Sequence, residues 1–164
     1  MAVDYASKQR DRAKEGWAIR NMKLRMSRKL IFVKGLLVCY ECILKPLAPS
    51  QVKQTDLERH LPPLVSHLRQ SVSRTALDVL AETWLEFPND ASASRMFSAY
   101  DTFLEVLDNP EQRQRLAGLR PEDAAKDELF QRLRAVGHEF QDSLNDLFFD
   151  TPDLLQLTRK YGVF

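Results

Sequence analysis

No proline occurs between Asp4 and Leu44, and that stretch constrains the fold more than any other part of the chain. Within it Met22, Met26, Leu30, Val33, Leu37, Tyr40 and Leu44 recur at three- and four-residue steps, the signature of one helical face. Trp17, Leu24, Ile31 and Val38 recur every seven residues and form a second apolar line. After Leu30 the helix is therefore apolar on much of its surface, as a central helix packed on several sides would be. Pro46 and Pro49 end it. A continuous helix of about 40 residues would be about 60 Å long. A compact domain of this size has a radius of gyration of about 15 Å. Either the helix breaks, with Gly16 and Gly35 the expected points, or its basic start projects from the body.

The later helices are marked by their starts. Thr55-Asp56-Leu57-Glu58 has a capping-box pattern, with Thr55 as N-cap. Pro62 and Pro63 predict a new helix starting there, with Leu64, Leu68, Val72, Ala76, Leu80 and Trp84 among its apolar positions. Pro88-Asn89-Asp90 reads as a loop, followed by a helix from about Ser92 to Leu107. Pro110, Pro121 and Pro152 each suit a first helical position. The longest late helix is predicted from about Pro121 to Phe149, and a short one after Thr151. Only five glycines occur, too few for a fold built from hairpins. There is no internal repeat and no convincing strand. The expected fold is all-α: a single-domain bundle of about five or six helices around a long amino-terminal helix. Its basic amino-terminal helix spans about 4–44 and its acidic helical body about 55–164.

At 44% hydrophobic and 29% charged, the composition is neither that of a disordered chain nor that of a membrane protein. The apolar run from Leu30 to Leu44 contains Lys34 and Glu41 and is short for a transmembrane span, which needs about 20 residues. The polar start offers no signal-peptide pattern, and two cysteines suit a reducing compartment, so a cytoplasmic protein is expected.

The net charge of +1 hides an asymmetry. From Lys8 to Lys34 stand ten Lys or Arg against two acids, Asp11 and Glu15, a surplus of eight that leaves the rest of the chain at −7. A basic segment carrying Tyr5 and Trp17 has the composition of a nucleic-acid contact. It equally suits a membrane surface, a protein partner, or the acidic half of the same fold. The carboxyl-terminal end is apolar, with Leu154, Leu155, Leu157, Tyr161, Val163 and Phe164; such a tail folds onto its own body or inserts into a partner. The candidate partner-binding residues are Lys8, Arg10, Arg12, Lys14, Trp17, Arg20, Tyr161 and Phe164.

Chemistry-bearing motifs are few. Cys39-Tyr40-Glu41-Cys42 is a C-x-x-C, but it lies late in an apolar helix rather than at the helix start that would activate a thiol. As a zinc half-site it would need His60 and His67, whose spacing exceeds the usual three to five. Both cysteines are expected to be buried core residues, with no metal. Arg132-Leu133-Arg134-Ala135-Val136-Gly137-His138 resembles the motif of HEPN-type ribonucleases, an Arg, four to six residues, then a His. That resemblance covers these seven residues and implies a catalytic pair, Arg132 and His138. Leu133 stands where those enzymes carry a polar residue. In a regular helix six positions rotate by about 600°, which separates Arg132 from His138 unless Gly137 distorts the helix.

No glycine-rich phosphate loop, H-E-x-x-H or G-x-S-x-G can be written from this sequence. Glu122, Asp123, Asp127 and Glu128 enrich a helix start, where the dipole favours acids. The expectation is a non-enzymatic interaction or regulatory subunit that binds another protein, without a cofactor. A nucleic-acid-binding regulator using the basic helix and a HEPN-like ribonuclease are the alternatives.

Overall fold

The computed structural model describes residues 16–45 and 57–162, the side chains of 57–60 excepted. The described residues form helices and no strand, so the fold is all-α. In chain order they are α1 (Trp17–Lys23), a π-helical segment (Leu24–Arg28), α2 (Lys29–Leu44), α3 (Leu57–Ser73), α4 (Ala76–Glu86), α5 (Asp90–Asp108), α6 (Pro110–Gly118), a 3-10 turn (Pro121–Asp123), α7 (Glu128–Asp150) and α8 (Pro152–Tyr161). No helix among the described residues is long and apolar enough to cross a membrane. The chain divides into two compact units, Met1–Arg28 with Ser94–Leu144, and Lys29–Ala93 with Asn145–Phe164.

The long amino-terminal helix is present, running without a loop from Trp17 to Leu44. Of the two expected break points, Gly16 is real and Gly35 is not. Gly16 has φ 40° and ψ 150°, outside the helical region, and caps α1 at its start. A Cβ at Gly16 would overlap the backbone of Ala117 in α6, so this position needs glycine for both its φ and its close approach. Gly35 sits inside regular α2 with open space around it. The irregularity that does occur is the π-helical segment, which no proline or glycine announces.

In the first unit Ile19, Met22 and Met26 are buried, as are Phe103 of α5, Leu116 of α6, and Leu133 and Phe140 of α7. Asn109 caps α6 by accepting the amides of Glu111 and Gln112, both at 3.1 Å, and Pro110 takes the first helical position. The predicted helix from Pro121 is instead a 3-10 turn, and α7 starts at Glu128. The restart is held by Asp127, whose carboxylate accepts the Phe130 amide at 2.8 Å.

In the second unit Leu30, Val33 and Leu37 of α2 are buried, with Leu80 of α4, Phe148 of α7 and Leu154 of α8. Tyr40 meets Phe148 edge-on at 6.2 Å, and its hydroxyl donates to Thr158 of α8 at 3.4 Å. The expected Thr55 cap lies outside the described residues. The helix expected to begin at Pro62 begins at Leu57 and runs through both prolines. Proline cannot donate to the carbonyl four residues back, so α3 carries two missing bonds near its start. The single helix predicted from Pro62 to Trp84 is two helices. Thr75 ends the run with a capping box: its hydroxyl accepts from the Asp78 amide at 3.1 Å, and Asp78 accepts from the Thr75 amide at 2.9 Å.

Candidate functional site

Three local arrangements carry chemistry, one in the first unit and two in the second. The first is a cleft of about 300 Å³ between α1 with its π-helical extension, the 3-10 turn and α7. Trp17, Asn21 and Arg25 face it at four-residue steps, opposite Phe130, Gln131 and Arg134. In a regular helix a four-residue step drifts around the axis. The wider π turn that contains Arg25 offsets this drift. Trp17 is half-buried and lies 5.3 Å from Phe130, the two ring planes tilted by 35°. The Arg25 Nε donates to Asn21 Oδ1 at 3.1 Å. Gln131 Nε2 donates to the carbonyl of Ala124 at 2.7 Å. Among the described residues no acidic side chain lines the cleft.

The second arrangement surrounds Glu41, a carboxylate only 10% exposed and the one acid in the largely apolar α2. Lys45 pairs with one of its oxygens at 3.2 Å. His67 Nε2 and an Arg74 nitrogen approach the other at 3.4 and 3.5 Å. Arg74 also pairs with Glu82. Lys34 donates to the carbonyl of Val72 at 3.3 Å and to that of Arg74, where the end of a helix favours a cation. A buried carboxylate is tolerated when cations and hydrogen bonds surround it. The cluster thus fastens the end of α3 to α2.

The third is the outward face of α3. Leu61, Val65, Leu68 and Val72, at steps of four, three and four, are 42, 39, 38 and 78% exposed. The inward positions of the same helix are mixed rather than apolar: Ser71 is buried, His67 is half-buried against Glu41, and Leu64 is half-buried as well. The sequence counted Leu68 and Val72 among the apolar positions of one predicted helix, and both are exposed. Glu41 supplies the reason, because a buried carboxylate draws His67 and Arg74 inward and turns the aliphatic stripe out.

The residues predicted from sequence are spread over the molecule. Lys8, Arg10, Arg12, Lys14 and Phe164 lie outside the described residues. Trp17 packs on Phe130 and lines the cleft, Arg20 is exposed, and Tyr161 is exposed beneath the ammonium of Lys160 at 5.0 Å from its ring. Arg132 and His138 are both exposed on α7, which stays regular through Gly137. Cys42 is buried, as expected, and its thiol donates to the Val38 carbonyl at 3.3 Å. Cys39 is exposed, contrary to expectation: about 60° around the helix from Cys42 and about 100° from Val38, it falls past the edge of the buried face that those two share. Among the described residues no group of three His, Cys, Asp or Glu side chains could hold a metal ion.

Sequence reasoning missed Arg25, Arg134 and Glu41 as site residues. Only Glu41 gave a signal, as a charge inside an apolar run. No protein family model, curated protein or solved structure matches this chain.

Proposed function

We propose that this chain is a non-enzymatic helical subunit that binds another protein, and that α3 is the helix it offers. The observation that supports this reading is the inverted α3, with Ser71 and His67 turned inward and Leu61, Val65, Leu68 and Val72 turned to solvent. Burying such a stripe is worth about 25 cal/mol per Å² of apolar surface, a gain that α3 leaves unclaimed among the described residues. A stripe at these steps matches an amphipathic helix laid against an apolar groove or helix of its partner. The partner surface would be apolar at its centre, with a polar rim that accommodates Arg69 and Gln70.

The test is Val65→Asp with Val72→Asp in the full chain. Both positions are exposed, so the double variant should keep the helical circular dichroism and the melting temperature of the parent. It should lose a partner recovered by crosslinking in the native cell. Retention of that partner by the double variant would overturn the reading. So would a homodimer in sedimentation that the double variant abolishes, since the stripe would then serve a second copy of this chain.

A further inference from the structure

We propose that the cleft between Trp17 and Arg134 binds a small phosphorylated molecule, taking its phosphate monoester on Arg25 and Arg134. The cleft lies in the first unit and owes nothing to the α3 stripe.

Among the described residues Arg25 and Arg134 are the charged side chains that line the cleft, and both are positive. Among the described residues neither has an acidic partner: Arg25 bonds to the neutral Asn21, and Arg134 forms no ion pair. Two uncompensated guanidiniums facing one concavity call for a dianion. A phosphate monoester carries about −1.5 to −2 charge at pH 7. Arginine also matches phosphate oxygens with its planar fork of donors.

The hydrogen-bond inventory agrees. Asn21 spends its Oδ1 on the Nε of Arg25, which steadies the guanidinium and leaves its terminal nitrogens for a ligand. Its own Nδ2 remains as a further donor. Gln131 spends Nε2 on the Ala124 carbonyl, so its Oε1 remains as an acceptor for a ligand hydroxyl or amine. Trp17 and Phe130 supply an apolar wall for a planar organic group. At about 300 Å³ the space is at the small end of ligand sites, enough for a phosphate and a small ring.

The experiment is calorimetric titration of the full chain with phenyl phosphate, phenyl sulfate and inorganic phosphate at fixed ionic strength. Phenyl phosphate should bind tightest. The monoanionic sulfate ester should bind about tenfold more weakly, and inorganic phosphate should lose the contribution of the aromatic wall. Arg134→Gln, at an exposed position, should weaken phenyl phosphate by about 10- to 100-fold, the range of one charge-assisted hydrogen bond. Arg132→Gln removes another exposed charge two residues away, outside the cleft, and should leave binding unchanged. Equal losses in the two variants would reduce the effect to general surface charge and overturn the proposal. Absence of phenyl phosphate binding at millimolar concentration would overturn it as well, including where a single-stranded oligonucleotide is retained.

Discussion

Two cysteines three residues apart on α2 have opposite surroundings. Cys39 is exposed, whereas Cys42 is buried and bonded to the Val38 carbonyl. Burial pushes the Cys42 thiol up from its ordinary value, and the neighbouring Cys39 and Glu41 add to that rise. The thiolate is the reacting species, so the two residues should separate in kinetics. Under native conditions a thiol reagent should modify one cysteine quickly and the other only on unfolding, and Cys39→Ser should remove the fast phase. Two fast phases of equal amplitude would contradict the burial of Cys42. The sequence offered the C-x-x-C but not this split, because Glu41 lies between the two and fixes how α2 is rotated. A residue whose neighbours in space come from α3 and α4 cannot be read from α2 alone.

At the level of elements, the helix starts were legible and the breaks were not. Pro110 and Pro152 sit at first helical positions, as their fixed φ favours. Pro62 and Pro63 misled, since α3 begins at Leu57 and runs through both despite the bonds that proline removes. The break between α3 and α4 was written locally as Thr75-x-x-Asp78, but the apolar spacing carried across it and masked the cap. That capping box can be tested alone. Thr75→Ala removes the acceptor for the Asp78 amide and should cost about 1 kcal/mol of stability, seen as a lower denaturant midpoint with an unchanged slope. Thr75→Ser keeps the acceptor and should recover most of that loss. If alanine and serine behave alike, the hydroxyl does not hold the start of α4. The cleft was the least legible feature. Trp17 was singled out from its place in a basic segment, yet Arg134 is one of many exposed arginines in the sequence, and the π turn that aims Arg25 leaves no mark in residue type.

For the molecule as a whole, acid stability joins features that the sequence presented separately. The acids at the start of the late helix were expected to answer only the helix dipole, but Asp127 does more. Burial alone would raise its pKa from 3.8; the Phe130 amide, the hydrogen bond and charge of Arg115 at 2.9 Å and the Leu129 amide together outweigh that, so the carboxyl ends below its ordinary value. Asp78 is lowered too, first by its hydrogen bonding to Thr75 and then by the charges of Arg74 and Lys34. Asp127 belongs to one compact unit and Asp78 to the other, so acid weakens both. The sign follows from linkage. With the folded pKa below the unfolded value of 3.8, the unfolded chain binds more protons as pH falls through this region. Their contribution is fully present well above pH 3.8 and is lost as pH falls through the folded values. Urea midpoints should therefore stay level from pH 7 to about 5 as far as these two groups are concerned and fall below about 4. Asp127→Asn should be less stable than the parent at neutral pH, because it gives up the pairing with Arg115, and should lose less on acidification. The two curves should converge near the acid end, where the parent carboxyl is protonated as well. Parallel curves across the whole range would mean that Asp127 titrates alike in the folded and unfolded chain, and that the start of α7 is held by packing alone.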